Sequence, residues 1–359
     1  MRHWNIRLEK LQDVSTLKKV FIPIIFVLLG ILFSSVFILL SDLNPIAVFR
    51  KMISYSFLNE TGLTSSINAA LPLMLCGLGV SISFRMNLNN IGAEGQFAMG
   101  AILGGWFALY GPNLPAPLAG IVMFLLCALG GGLWAMIAAA LKAFWKVNET
   151  IVSLMLNYIA LLFLAYLCYG PWMAPKQTTA MTAAIPKSMF LPKMGGVSTA
   201  ILLVILLAVL LYFLLKRTTF GYQIDVIKNS IASAEYAGIP VKRLILVVFT
   251  LSGALAGIGG YVQVAGILHR LQAQLPGGSG YTGIVIAYLS HFNPLTVLLV
   301  SFLFGGLQNS CAAVQIMGVP SQIATMIQGT IMIFVIAGEF LNRYKIIISR
   351  AKKAEVAKQ

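Results

Sequence analysis

The chain has 359 residues, of which 59% are hydrophobic and only 10% are charged. A soluble protein usually carries about 25% charged residues, so this composition excludes two ordinary soluble domains and indicates a membrane protein. The 10 acidic residues lie almost entirely outside the apolar segments, and Glu94 comes closest to one. Chemistry that depends on paired carboxylates inside the membrane is therefore excluded.

About ten apolar segments are long enough to be candidate membrane spans. The first, at 20–40, is predicted to be a retained span, because a basic stretch precedes it and no small-residue cleavage site follows it. The eighth is short, so we expect it to be broken or re-entrant. The segments are approximately 20–40, 64–84, 91–110, 116–141, 150–169, 199–215, 244–266, 278–291, 294–310 and 321–341.

The basic residues predict the orientation of these spans. With ten spans, about three quarters of the 25 Lys and Arg residues lie on the side that holds both termini. Both termini are therefore predicted to be cytoplasmic in an all-α polytopic membrane protein. Topology accounts for the net charge of +15, so nucleic acid is not an expected partner.

The sequence predicts one transmembrane domain over 1–359, with four regions outside the spans. Within 42–62, apolar residues at helical spacing predict an amphipathic helix on the outer face. The other regions are a proline-rich outer loop at 171–198, a long polar cytoplasmic loop at 216–243, and a basic cytoplasmic tail at 342–359.

A first polar break lies near 85–95, where five amide or carboxylate side chains crowd a short glycine-containing stretch. Asn90 is expected to cap the next helix, with Glu94 stabilised by the dipole of that helix. One interpretation is a capped helix start and nothing more. The other is a substrate path, because polar groups at this depth are costly unless they line a pathway or meet partners. The predicted path residues here are Asn87, Asn90, Glu94 and Gln96.

A second break at 276–283 opens the eighth segment, which runs opposite to the third. Two broken segments of opposite orientation are typical of transporters that build a central site from discontinuous helices. This adds Ser279 and Tyr281 to the predicted path. Glycines elsewhere predict close helix packing of the small-xxx-small kind: Gly100, Gly104, Gly253, Gly257, Gly305 and Gly306.

No catalytic residues, metal site or cofactor are expected. Residues 277–280 match the G-x-S-G of an intramembrane serine protease, with His269 or His291 as a conceivable base, but so short a match in a glycine-rich run is weak. The sequence has no P-loop, so energy from ATP requires another chain. The four cysteines are expected to be small core residues: Cys76, Cys127, Cys168 and Cys311.

Four motifs resemble permease subunits of bacterial ABC importers in the simple-sugar and nucleoside branch, which is related to the branched-chain amino acid permeases. The run Asn90-Ile-Gly-Ala-Glu-Gly-Gln96 is most similar to nucleoside importers. The others are Phe220-Gly-Tyr-Gln with Ala234-Glu-Tyr-Ala-Gly-Ile239, Ser252-Gly-Ala-Leu-Ala-Gly-Ile-Gly-Gly260, and Gly280-Tyr-Thr-Gly-Ile-Val-Ile-Ala287 with Asn293-Pro294.

This resemblance implies a bacterial inner-membrane permease that forms half of a path for nucleosides, with ribose-like sugars as the alternative. It implies three protein partners: an ABC ATPase, a second related permease and an extracellular binding lipoprotein. It also implies that the cytoplasmic loop couples to the ATPase. The predicted coupling residues are Asn229, Ser230, Ala234, Glu235, Tyr236, Gly238 and Ile239, in and after a short helix over 232–237 that Gly238 and Pro240 end.

An ion-coupled secondary transporter remains the other function class. Such a transporter normally needs an ionisable group inside the membrane, and Glu94 is the candidate for that role.

Overall fold

A computed structural model describes residues 4–10, 16–112, 114–175, 178–315 and 318–350. The chain divides into two compact units, one of Met1–Met52 with Cys311–Gln359 and one of Ile53–Ser310. The elements in chain order are β1 (Trp4–Lys10), α1 (Thr16–Leu39), α2 (Pro45–Ile53), α3 (Glu60–Arg85), α4 (Ala93–Tyr110), α5 (Ala116–Trp145), α6 (Glu149–Tyr169), β2 (Lys193–Met194), β3 (Val197–Ser198), α7 (Ala200–Arg217), α8 (Thr219–Asn229), α9 (Ile231–Tyr236), α10 (Val241–Tyr261), α11 (Ser279–Leu289), α12 (Pro294–Gln315), α13 (Ser321–Arg343) and β4 (Tyr344–Arg350).

Seven helices of the described chain are long and apolar enough to cross a membrane. They are α3, α5, α6, α7, α10, α12 and α13, with α10 extended to Leu268 by a π-helical segment. The other three predicted segments coincide with α1, α4 and the 11-residue α11. The polytopic helical class is confirmed, whereas the number ten and the cytoplasmic termini stay predictions.

The first unit pairs α1 with α13. A Cβ added to Gly30 would lie 3.3 Å from the Cα of Ile331, so the two helices approach closely there. The strands β1 and β4 form an antiparallel ladder. The expectation of an entirely helical chain missed this ladder, and the basic tail predicted from residue 342 begins as helix and strand. Three successive isoleucines at 346–348 favour the strand, because β-branched side chains suit extended backbone. The rest of that tail, 351–359, lies outside the described residues.

The second unit has a core in which α5 and α10 make the most extensive contact and α4 packs on both. A Cβ on Gly100 would lie 2.5 Å from the Cα of Gly257, and one on Gly131 would lie 2.8 Å from the same atom. Only hydrogen fits between these backbones, which confirms the predicted small-residue packing. The four cysteines are free and buried, as expected.

The regions outside the spans contain more regular secondary structure than the sequence indicated. Within 42–62, α2 buries Val48 and Met52 and continues as a π-helical turn over Ser54–Leu58. The predicted outer loop carries the β2–β3 hairpin and bonds to the end of α10, where the N–H of Leu191 donates to the oxygen of Ala265 (3.0 Å). The placement of both regions on the outer face stays a prediction.

Candidate substrate path and coupling site

The carboxylate of Glu94 joins the two breaks. Glu94 lies in the first turn of α4, as predicted, and is 3% exposed. Its Oε1 accepts from the N–H of Gly278 (2.7 Å), and its Oε2 accepts from the N–H of Gly280 (2.6 Å). These N–H groups open α11, so the N-terminus of a second helix stabilises the carboxylate in addition to that of α4. The two breaks meet, as their opposite orientation suggested.

Asn90 is not the cap of α4, and this expectation was wrong. The structure gives the N-cap position to Gly92, and Asn90 Oδ1 accepts from the N–H of Gly92 (3.0 Å) rather than from an N–H of the first turn of α4. The buried Asn90 amide instead exchanges hydrogen bonds with the Gln96 amide (3.1 and 2.9 Å) and donates to Oγ of Ser252 on α10 (2.9 Å). The side chains of both predicted path residues, Asn90 and Gln96, therefore bond to each other within the break.

The sequence reasoning missed Asn157, which anchors the same break from α6. Its Oδ1 accepts from the N–H of Gly95 (2.9 Å), and its Nδ2 donates to the oxygen of Ile91 (2.8 Å). The same Nδ2 lies 3.4 Å from the hydroxyl of Tyr281 on α11. An Asn inside an otherwise apolar helix was the available signal, because such a residue needs partners in the membrane.

A polar cavity of about 440 Å³ lies beside the second break. Its wall includes Gly277 and Ser279, so the peptide that Glu94 holds borders the cavity directly. No charged side chain lines it. Four glutamines contribute amides that have no hydrogen-bond partner among the described residues, and sequence reasoning singled out none of them: Gln263, Gln272, Gln274 and Gln308.

Of the six predicted path residues, Ser279 alone lines this cavity. Tyr281 lies in the first turn of α11, 37% exposed and beside Asn157. Glu94 does not line the cavity, but its carboxylate holds the backbone of the cavity wall through the two N–H groups. Asn87 departs most from its predicted place in the substrate path, because its side chain is exposed and donates to the main-chain oxygen of Lys228 (3.0 Å).

Asn87 is part of a set of contacts, here called the latch, between the first break and the 216–243 loop. Beside it, the Arg85 guanidinium forms two bonds with the Asp225 carboxylate on α8 (2.8 and 2.7 Å). This hydrogen-bonded guanidinium, against a smaller opposing effect of burial, holds the pKa of Asp225 below its usual value. The pair and the Asn87–Lys228 bond together fasten α8 to the end of α3.

The predicted short coupling helix is present as α9. Ser230 caps it by accepting from the N–H of Ser233 (3.1 Å), and Gly238 has a φ of +73°, the left-handed conformation expected at its end. Ala234 is fully buried, whereas Tyr236 is 97% exposed. The remaining predicted coupling residues flank these positions: Asn229 ends α8, Glu235 lies in α9, and Ile239 bonds back to the oxygen of Ala234.

The serine-protease alternative has no geometric support. Ser279 is the first residue of α11 and His291 lies two residues past its end, so the length of the helix, about 16.5 Å at 1.5 Å per residue, separates them. The Nδ1 atom of His269 has no hydrogen-bond partner among the described residues, and its ring stacks on Phe190. Neither histidine is placed to activate the serine.

Seven apolar helices, two broken segments joined by a buried carboxylate, and a neutral amide-lined cavity define a multi-pass membrane transport protein. The chain belongs to the family described as the permease component of the branched-chain amino acid transport system, whose profile matches residues 62–336. Proteins of this family are permease subunits of ABC transporters that work with separate ATPase and binding-protein subunits, and the chain is a multi-pass protein of the inner membrane.

Three relatives cover nearly the whole chain. A glucose ABC transporter permease of Haloferax volcanii is 31% identical over 90% of this chain and 89% of its own length. A guanosine ABC transporter permease of Bacillus subtilis is 30% identical over 95% of this chain and 99% of its own. A nucleoside ABC transporter permease of Lactococcus lactis is 28% identical over 95% and 96%.

Proposed function

We propose that this chain is the permease subunit of an ABC importer for nucleosides, and that it forms half of the translocation path. The observation that carries the substrate class is the uncharged cavity with its four glutamine amides, which have no hydrogen-bond partner in the described part of the chain. Nucleosides are neutral and rich in donors and acceptors, so amides recognise them without the cost of burying a charge. The two nucleoside relatives support this choice.

The predicted topology puts the cavity in the outer half of the membrane. Its lining comes from the start of α3, the end of α10 and the later part of α12, which all face outward when both termini are cytoplasmic. A cavity there receives substrate from an extracellular binding lipoprotein. A second, related but different permease supplies the other half of the path.

Energy comes from ATP hydrolysis on a separate ATPase that contacts α9 and its flanks, with no ATP site on this chain. The exposed Tyr236 supports this role, because a large aromatic side chain that is 97% exposed is a suitable anchor for a partner protein. The helix itself is defined at both ends, by Ser230 and Gly238, so it can transmit force as a rigid element.

Simple sugars are the second candidate substrate. The glutamine amides would bond sugar hydroxyls equally well, and the glucose permease relative supports this branch. An ion-coupled transporter fits less well, because both oxygens of Glu94 are occupied by backbone N–H groups.

The test is uptake into liposomes that contain the chain, its partner permease and the ATPase, with binding protein added outside. Labelled uridine, guanosine, ribose and glucose are compared. Gln263→Leu and Gln308→Leu should each lower nucleoside uptake, while Gln322→Leu, an exposed residue outside the cavity, should not. If the two cavity variants lose ribose or glucose uptake but keep nucleoside uptake, the substrate assignment moves to the sugar branch. ATP-independent concentrative uptake by the chain alone would refute the importer.

A further inference from the structure

A second polar cavity, of about 550 Å³, is lined in part by the latch residues Arg85, Asp225 and Lys228. The end of α3, the end of α7, the end of α8 and the turn before α12 enclose it. By the predicted topology this is the cytoplasmic side. We propose that it binds a phosphate-bearing anion, the headgroup of an anionic phospholipid or free phosphate.

The charge balance of the cavity is positive. Its lining includes Arg85, Lys216 and Lys228 against a single acid, Asp225. The Arg85–Asp225 pair neutralises itself, and neither lysine is ion-paired with a carboxylate among the described residues. Two lysine charges therefore remain at one cavity. A phosphate group is the common anion that matches two cations at once.

The start of α12 adds to this attraction. Asn293 and Pro294 lie in the cavity wall, and the side chain of Asn293 caps the helix by accepting from the N–H of Leu295 (3.2 Å). The positive end of a 22-residue helix dipole thus faces the same space as the two lysines.

The position of Lys216 favours a lipid as the source. Lys216 lies in the last turn of α7, and its ammonium is 5.8 Å from the centre of the Tyr212 ring. Aromatic and basic side chains at the end of a span are typical of the headgroup level. Basic pockets between helices at the cytoplasmic surface are known to hold anionic headgroups.

The test uses the full chain in nanodiscs of phosphatidylcholine, with retained lipid read by native mass spectrometry. Phosphatidylglycerol is titrated in one arm and inorganic phosphate in the other. Lys216→Gln with Lys228→Gln should weaken binding about 25-fold, at about fivefold for each cation removed. The matched control is Lys146→Gln with Arg217→Gln, two exposed cytoplasmic cations outside the cavity lining.

A second variant keeps the helix cap and lowers the positive charge of the cavity. Asn293→Asp keeps the helix cap and puts a negative charge in the cavity, so it should lower binding at least fivefold. Asn148→Asp is its control, since Asn148 caps α6 in the same way, through the N–H of Thr150 (3.0 Å).

Binding of phosphatidylglycerol that both cavity variants weaken and both controls preserve supports a lipid site. The same pattern with inorganic phosphate alone supports a site for free phosphate. Equal losses in the cavity variants and the controls would reveal general surface charge and overturn the proposal, as would the lack of binding of either probe to the unmodified chain.

Discussion

Replacing Glu94 by Gln tests whether the carboxylate holds the two breaks together. The substitution keeps one acceptor oxygen but turns an NH₂ group toward one of the two backbone N–H groups of α11. A hydrogen bond to a charged group contributes about 1.5–3 kcal/mol, so losing one such bond costs about 2–3 kcal/mol. If the start of α11 opens separately, its open population rises about 30- to 150-fold.

Cys76 provides the readout, because α11 covers it. A Cβ on Gly283 of α11 would lie 2.8 Å from the Cβ of Cys76, which is fully buried on α3. The labelling rate of Cys76 by a thiol reagent, measured by peptide mass spectrometry, should rise by the same 30- to 150-fold. Cys127 lies away from the break on α5 and should keep its rate.

Two further variants make this test decisive. Glu60→Gln removes a carboxylate that is exposed at the start of α3, and it should leave Cys76 labelling unchanged. Gly280→Ala places a methyl group against the backbone N of Glu94, so it should raise labelling through sterics alone. If Glu94→Gln and Glu60→Gln label Cys76 equally slowly, the carboxylate does not hold α11 and the reasoning is refuted.

Three other predictions concern the first break, the Arg85–Asp225 pair and the ATPase contact. Asn157→Leu leaves the N–H of Gly95 and the oxygen of Ile91 without hydrogen-bond partners. The melting temperature of the purified chain should therefore fall by an amount that corresponds to a loss of about 2–4 kcal/mol in the free energy of unfolding. The Arg85–Asp225 pair stabilises the fold above the unfolded pKa of Asp225, and this contribution is lost as pH falls through the lowered folded pKa of that carboxyl. A double-mutant cycle should give a coupling energy of no more than about 1 kcal/mol at pH 7, because Asp225 is 45% exposed. The coupling energy should vanish once the carboxylate is protonated in both the folded and the unfolded state. Tyr236→Ala should lower ATPase retention on the purified complex at an unchanged melting temperature, and retention at the wild-type level would place the docking surface elsewhere.

The sequence was most informative where a feature is local. Glycine spacing predicted the close approach at Gly257, and the left-handed residue at Gly238 follows from the helix that precedes it. The sequence also contains a pattern that predicts the α8 helix, because the buried Ile224 and Ile227 are three residues apart, about one helical turn. It was missed because the region was treated as a polar loop.

Contacts between residues that are far apart in the sequence could not be predicted from it. The partners of Glu94 lie 184 and 186 residues along the chain, and its own helix offered a nearer, equally plausible N-terminus. Gln263 and Gln308 each look like an isolated polar residue within an apolar segment. Only the folded arrangement of α10 and α12 brings them to one cavity, so no single segment could reveal the site.

The latch between Arg85, Asn87 and α8 has a mechanical consequence. These three bonds connect α8 directly to the end of α3 and to Asn87, so we expect a displacement of α8 to shift residues 86–92, which precede Glu94. A spin label on α8 would therefore report the position of the first break, although it sits far from it in sequence.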